Sequence, residues 1–207
     1  MYREIGALVH RNGELMRIAI LGWGSLLWEG IAEFDRWHDA WKYDGPSLKI
    51  AFSRISESRL GALTLVMDAQ HGGLIGVAWC LSKRTNLEDA LCDLRCREGT
   101  TVGNIGWMVV APHSDSTKGD AVEYLILTWA RAKKVDAIVW TALKSNFKDI
   151  TKQPFSIDAA MLYLRGLRPE GKVEAAEYVR RAPDFVKTPL RSALQRQPWF
   201  SERGRQS

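Results

Sequence analysis

The chain has 207 residues, 46% of them apolar, which is enough for a substantial hydrophobic core. The formal net charge is +5, but most of that surplus lies in the segment 186–207, so the rest of the chain does not predict a basic nucleic-acid-binding groove. Arg11, Glu14 and Arg17 interrupt any signal-peptide-like stretch, and no segment approaches the roughly 18 uncharged apolar residues of a membrane span. We therefore expect a cytoplasmic protein with no membrane partner.

Short apolar runs bounded by glycine or polar residues predict six strands. In chain order they are 17–21, 48–55, 62–67, 74–81, 105–110 and 137–141. The second and third are separated only by a short polar stretch that contains glycine, which predicts a β-hairpin. The stretch 74–81 is expected to continue the same sheet after a turn at 70–73.

Apolar residues at helical spacing predict the helices. Thr85 or Asn86 can cap the first, which ends near Glu98. Further helices are expected at about 120–132, 156–165, 171–181 and 190–195. Strands that first follow one another along the chain and then alternate with helices favour an α+β fold. We expect a mixed sheet, curved or closed, with helices packed outside it.

The most informative residue is Glu98. Three leucines and Glu98 are spaced three and four residues apart, which places the carboxyl group on the apolar face of the helix. The leucines are Leu87, Leu91 and Leu94. Gly99 follows in the position where a left-handed glycine commonly ends a helix. Burial and the negative end of the helix dipole both disfavour an anion, so we expect a raised pKa for Glu98.

A carboxyl group tuned in this way is suited to general base and general acid catalysis. The alternative is that the Glu98 side chain turns outward to water or pairs with a neighbouring cation such as Arg95 or Arg97.

The second candidate is the glycine-rich turn formed by Gly22, Trp23, Gly24, Ser25 and Leu26. It stands between two apolar segments, where a solvent-exposed turn would continue with polar residues. A turn buried in this way leaves main-chain N–H groups unpaired unless something accepts from them, and a bound carboxylate is one solution. The alternative is that neighbouring backbone satisfies the turn.

Other motifs are incomplete. Leu27 stands where both the dinucleotide fingerprint G-x-G-x-x-G and the serine-hydrolase elbow around Ser25 need a glycine. Arg54 and Arg59 flank the predicted hairpin and could clamp an anionic substrate.

Metal chemistry is not indicated by the cysteines or histidines. Cys80, Cys92 and Cys96 cannot all pair, and we expect reduced, packed thiols. The histidines lack metal-ligand spacing. They are His10, His38, His71 and His113.

Several segments together resemble one known family. The stretch ILGWGSLLW at 20–28 is similar to the Y-G-S-L/N signature of the gamma-glutamylcyclotransferase-like family, which has a ChaC/AIG2-type fold. The order and spacing of later segments agree with that family over roughly residues 17–141. These segments are FSRIS at 52–56, LTLV at 63–66, IGVAWCLS at 75–82 and a helix that ends in REG at 97–99.

The resemblance implies a largely closed, barrel-like mixed sheet with outer helices and a small cavity. It also implies an enzyme, of transferase or lyase type and related to glutathione metabolism, that acts on a small γ-glutamyl molecule and releases 5-oxoproline. In the family, the signature loop binds the substrate carboxylate through backbone N–H groups, and a glutamate accepts a proton from the attacking amine. In this chain the loop is Gly22–Leu26 and the glutamate is Glu98. No metal or organic cofactor is implied.

Some features depart from the family. Trp23 replaces the usual tyrosine, and the chain from about 142 onward does not match the well-characterised branches. We expect one domain over 1–185, with a divergent helical portion from about 142, and a basic tail at 186–207. A non-catalytic module of the same fold, binding a small acidic metabolite or a protein, is the alternative function. Nucleic-acid binding through the basic tail is the weakest of the three.

Overall fold

The computed structural model describes residues 15–110 and 121–201. These residues form two compact units. The first contains residues 15–22, 29–47, 76–110 and 121–143, and the second contains 23–28, 48–75 and 144–201. Each unit combines a β-sheet with helices, so the α+β class predicted from the sequence is confirmed.

The strands and helices lie close to their predicted positions. The strands are β1 Ile18–Gly22, β2 Ser47–Ser56, β3 Ala62–Met67, β4 Gly73–Gly76, β5 Ala78–Leu81, β6 Ile105–Val109 and β7 Ala137–Thr141. The helices in the described ranges are α1 Ala32–Asp35, α2 Leu87–Arg97, α3 Ala121–Lys133, α4 Phe147–Thr151, α5 Ile157–Gly166, α6 Pro169–Arg181, α7 Pro189–Leu194 and α8 Pro198–Ser201. Short 3-10 turns occur at Ser25–Leu27, Glu57–Arg59 and Val102–Asn104.

The first unit is built on a four-stranded sheet in the order β5-β1-β7-β6. Strand β1 runs parallel to β7 and antiparallel to β5, and β6 is antiparallel to β7. Every residue of β1 is buried, as expected for a central strand whose sequence is a continuous apolar run. Helix α2 packs on β6 and β7, and this packing fixes the helix that carries Glu98.

The second unit is built on a three-stranded sheet in the order β3-β2-β4. Strands β2 and β3 form the predicted antiparallel hairpin, with a β-bulge between Phe52 and Arg54. Helix α6 packs on β3, and α5 packs on both α6 and α7.

The prediction of one continuous strand at 74–81 is wrong. The stretch forms β4 in the second unit and β5 in the first, and Val77 lies between them. Its N–H donates to the Pro46 carbonyl and its own carbonyl accepts from Gly45 N–H, both at 3.0 Å. The backbone therefore changes hydrogen-bonding partner at Val77. Because the described strands form two sheets and neither is closed, the predicted single barrel-like sheet is not confirmed.

Much of the segment predicted as a basic tail is folded. Val186, Leu190 and Leu194 are almost fully buried, and α7 packs on α5. Arg191 donates hydrogen bonds to the carbonyls of Ala182, Pro183 and Val186 at 2.6–3.0 Å, which explains why this cation lies against the protein. Arg203 and Arg205 lie outside the described residues.

Candidate functional site

Helix α2 positions Glu98 through a buried face. The Asn86 side chain accepts a hydrogen bond from Glu88 N–H at 2.8 Å and so caps the start of the helix. Below this cap four side chains at helical spacing are buried. They are Leu87, Ala90, Leu91 and Leu94. Glu98 follows Leu94 on the same face and is the C-cap residue of the helix.

The helix ends at Gly99 in the predicted way. Gly99 has φ +56°, a left-handed conformation that glycine adopts without the steric cost of a Cβ. Gly99 N–H donates to the Cys96 carbonyl and Thr100 N–H donates to the Arg95 carbonyl, each at 3.2 Å. These two bonds form a Schellman motif, and they fix the backbone on both sides of Glu98.

The Glu98 carboxyl group is shielded and has a cationic neighbour. Its side chain is 16% exposed, and Arg97, which is 7% exposed, places Nη1 3.8 Å from Glu98 Oε1. Arg97 is also held by a hydrogen bond to the Glu29 carbonyl at 2.8 Å. The sequence leaves two alternatives for Glu98, a buried carboxyl group or one that pairs with a neighbouring cation. Both occur in part, because Glu98 is mostly buried and also lies next to an arginine.

The glycine turn lies directly after β1. Trp23 and Leu26 are buried, with 4% and 8% exposure. Leu27 N–H donates to the Gly24 carbonyl at 2.9 Å and closes the 3-10 turn. Over residues 15–110 and 121–201, no hydrogen-bond acceptor is found for the N–H groups of Gly24 and Leu26. The backbone alternative therefore does not account for these two donors.

The predicted site residues divide between the two units. Gly22 and Glu98 belong to the first unit, and Trp23, Gly24, Ser25 and Leu26 belong to the second. Gly22 is the last residue of β1 and pairs with Ala78 of β5.

The second unit adds Tyr178, which the sequence did not single out. Tyr178 lies on α6 and is 4% exposed, and its hydroxyl accepts a hydrogen bond from Leu65 N–H at 3.3 Å. A Cβ built on Gly24 would lie 2.9 Å from that hydroxyl oxygen, closer than real Cβ atoms come. Gly24 is therefore needed for close approach. No pattern in the sequence links Tyr178 to the turn.

The two arginines of the predicted hairpin have different surroundings. The Arg59 guanidinium lies over the ring of Tyr178, 5.0 Å from the ring centroid, a cation–π contact beside the glycine turn. Arg54 instead donates a hydrogen bond to the Lys144 carbonyl at 2.8 Å. Arg59 thus lies beside Tyr178 and the glycine turn, whereas Arg54 is held at the Lys144 carbonyl.

The first unit contains a cavity of about 200 Å³ beside α2. Arg84 lines it; its guanidinium stacks on Trp37 at 3.4 Å from the ring centroid and donates two hydrogen bonds to Asp93, at 2.8 and 3.1 Å. The cavity is lined chiefly by Phe34, Trp37, Arg84, Asp93, Cys96 and Arg97. Since Arg97 also neighbours Glu98, this cavity lies at the same end of the helix as the candidate catalytic residue.

The cysteines differ from one another. Cys80 is fully buried, whereas Cys92 and Cys96 are exposed, so the expectation of packed thiols is confirmed only for Cys80. Burial raises the pKa of the Cys80 thiol, which keeps it protonated and makes it a poor nucleophile.

Within the described part of the chain, no group of three or more His, Cys, Asp or Glu side chains is arranged to hold a metal ion. None of the helices in these ranges is long and apolar enough to cross a membrane.

The chain matches no protein-family model and no curated protein. Membership of the gamma-glutamylcyclotransferase-like family therefore stays a prediction, based on the motifs in the sequence.

Proposed function

We propose that the protein is a gamma-glutamylcyclotransferase-like enzyme of the cytoplasm that releases 5-oxoproline from a small γ-glutamyl compound. The observation that carries this proposal is the environment of Glu98. The residue continues the buried face of α2, its side chain is only 16% exposed, and a Schellman motif fixes its backbone. A shielded carboxyl group on a rigid support is what a proton-transfer catalyst requires.

The glycine turn supplies the binding function. The N–H groups of Gly24 and Leu26 have no acceptor among the described residues, and they belong to a turn whose other side chains are largely buried. Such donors are suited to the α-carboxylate of a γ-glutamyl group, because a charged acceptor forms stronger hydrogen bonds than a neutral one. In this proposal the turn fixes the substrate by that carboxylate.

Glu98 moves the proton during ring closure. The α-amine nitrogen of the substrate forms a bond to the γ-carbonyl carbon, and the bond from that carbon to the leaving nitrogen breaks. Glu98 accepts the proton that the attacking amine loses and donates it to the leaving nitrogen, so charge and atoms balance. Because nucleophile and electrophile belong to one molecule, the protein contributes orientation and proton transfer.

Arg97 has a defined effect on this step. Its guanidinium, 3.8 Å from Glu98, favours the ionised carboxylate that must first act as the base.

The experiment is an assay of purified protein with a panel of γ-glutamyl amines and dipeptides, in which 5-oxoproline is quantified by chromatography. Glu98→Gln keeps the shape but cannot accept the proton, so we expect a loss of about 100-fold or more in kcat. Asp89→Asn is the matched control, because it removes a carboxylate from the exposed side of the same helix. We expect it to retain activity.

Two outcomes contradict the proposal. The first is full activity of Glu98→Gln with an unchanged melting temperature. The second is binding of γ-glutamyl compounds to the wild-type protein without any turnover, which favours the non-catalytic binding module instead.

A further inference from the structure

The second unit contains a buried hydrogen-bond donor for which the described residues provide no acceptor. The indole nitrogen Nε1 of Trp28 is buried and has no hydrogen-bond partner among the described residues. A buried N–H group without an acceptor costs roughly 1–3 kcal/mol, and such groups are rare in folded proteins. An explanation is therefore required, and a ligand that accepts from this N–H provides one.

Trp28 ends the glycine turn. It lies three residues after Ser25, whose carbonyl accepts from Trp28 N–H at 3.2 Å. The segment from Gly24 to Trp28 thus contains three N–H donors for which no acceptor is found within the described ranges. They are the main-chain N–H groups of Gly24 and Leu26 and the indole N–H of Trp28. The indole donor is independent of the backbone conformation that leaves the other two unpaired.

Tyr178 fixes the position of both parts of this group. Its ring packs edge-on against Trp28, with 5.2 Å between the ring centroids and 69° between the planes. Its hydroxyl lies against Gly24 and accepts from Leu65 N–H. Phe52 packs edge-on against the same ring at 6.2 Å. The tyrosine is therefore held on several sides, and it holds the turn and the indole in one arrangement.

The charges around this group favour an anion. The Arg59 guanidinium lies over the Tyr178 ring, and Arg181 donates a hydrogen bond to the Trp28 carbonyl at 3.2 Å. Arg181 also pairs with Glu177 at 3.5 Å, which offsets part of its charge. Two guanidinium groups close to the three donors favour an acceptor-only, negatively charged group.

We propose that the Trp28 indole N–H binds the carboxylate of the ligand, and that Tyr178 is the positioning residue that holds Trp28 and Gly24 for this contact. This inference rests on the proposed function, because it takes the ligand to be the γ-glutamyl compound bound at the turn. Trp28 then contributes to substrate recognition, and α6, in the part of the chain that departs from the family, supports the binding site.

The test compares Trp28→Phe with Trp199→Phe. The indole Nε1 of Trp199 is also buried and has no partner in the part of the chain that the structure describes, but Trp199 lies on α8. Both substitutions remove one unpaired N–H and a similar volume. We expect Trp28→Phe to raise KM for γ-glutamyl substrates about 10- to 100-fold with little change in kcat, because it removes one hydrogen bond to a charged group. Trp199→Phe should leave KM unchanged.

A substrate analogue identifies the group that Trp28 contacts. In an α-carboxamide analogue the carboxylate is replaced by a neutral amide, so the wild-type protein should bind it more weakly than the parent compound. Trp28→Phe should then cause a smaller loss of affinity for the analogue than for the parent. An equal loss for both compounds, or an unchanged KM for the parent, overturns the inference and leaves the proposed function intact.

Calorimetric titration with L-glutamate separates this inference from the proposed function. L-Glutamate carries the same α-carboxylate but needs no turnover. If the wild-type protein binds L-glutamate, Trp28→Phe weakens that binding and no 5-oxoproline is released, the inference is supported and the proposed enzymatic function is contradicted. Absence of both glutamate binding and turnover overturns both. Incorporation of the benzothiophene analogue of tryptophan at position 28 removes the N–H at nearly constant shape, so the test remains decisive if Trp28→Phe does not fold.

Discussion

The two glycines on which the candidate site depends, Gly99 and Gly24, are required for different physical reasons. Gly99 has φ +56°, and a Cβ added there would meet no atom within 4 Å. Gly24 has φ −122°, which any residue can adopt, but a Cβ there would lie 2.9 Å from the Tyr178 hydroxyl. The first position needs the conformational freedom of glycine, and the second needs its small size.

This difference explains why the sequence predicts the role of Gly99 but not the contact that Gly24 makes with Tyr178. Gly99 follows the last residue of an apolar helical stripe, which is a local pattern with a local reason. The atom that excludes a side chain from Gly24 belongs to a residue more than 150 positions further along the chain. The sequence predicts that Gly24 allows a ligand to approach the backbone, and it contains no pattern that identifies Tyr178.

The largest expected effect is at Gly24. Gly24→Ala forces the buried Tyr178 side chain to move, so we expect a decrease of about 1–3 kcal/mol in the free energy of unfolding, measured by urea titration. Tyr178→Phe removes the oxygen that the new methyl group would meet. The double variant should therefore be less destabilised than the two single effects added together. Simple additivity would show that the hydroxyl is not the obstacle.

Tyr163→Phe is the matched control for this cycle. The Tyr163 hydroxyl donates to the Gly61 carbonyl at 2.9 Å, so it also contacts a glycine in the second unit. We expect no rescue of Gly24→Ala by Tyr163→Phe.

At Gly99, alanine should destabilise the protein more than asparagine does, the opposite of the order expected at Gly24. Gly99→Ala places a Cβ at positive φ and should cost about 1–2 kcal/mol. Gly99→Asn should cost less than Gly99→Ala, because asparagine tolerates the left-handed conformation. At Gly24 the larger asparagine should instead cost more than alanine. Thermal melts of the four variants check this crossover, and the same rank order at both positions would show that the two glycines are not used differently.

The smallest expected effect is at the start of α2. Asn86→Ala removes the side-chain acceptor for Glu88 N–H and should lower the free energy of unfolding by about 1 kcal/mol. Thr85→Ala should have almost no effect, because the cap of this helix is Asn86. A larger effect at Thr85 in denaturant titrations would contradict the assignment of the cap. Neither change should alter KM, since both lie at the opposite end of the helix from Glu98.

Local patterns predicted most of the secondary structure. The strand Ala62–Met67 and the strand Ala137–Thr141 have the predicted bounds, and α2 has its predicted cap, buried stripe and stop. These features depend on neighbours within a few residues. The division of 74–81 at Val77 depends on the loop at Gly45 and Pro46, about 30 residues earlier, and no periodicity in the strand itself reports it.

The candidate site shows the same limit. Glu98 and the turn Gly22–Leu26 could be chosen because an acidic residue on an apolar stripe and a glycine turn between apolar segments both conflict with their surroundings. Trp28 and Tyr178 cause no such conflict, because aromatic residues in apolar segments are expected in a core. Trp28 is distinguished by an indole N–H that finds no acceptor among the described residues, and Tyr178 by a hydroxyl that lies against Gly24.

The most direct test of the account is a crystal structure of the Glu98→Gln protein soaked with a γ-glutamyl substrate. The account predicts that the α-carboxylate of the substrate lies within about 3 Å of the N–H groups of Gly24 and Leu26. A substrate whose α-carboxylate binds away from this turn would contradict the proposed chemistry.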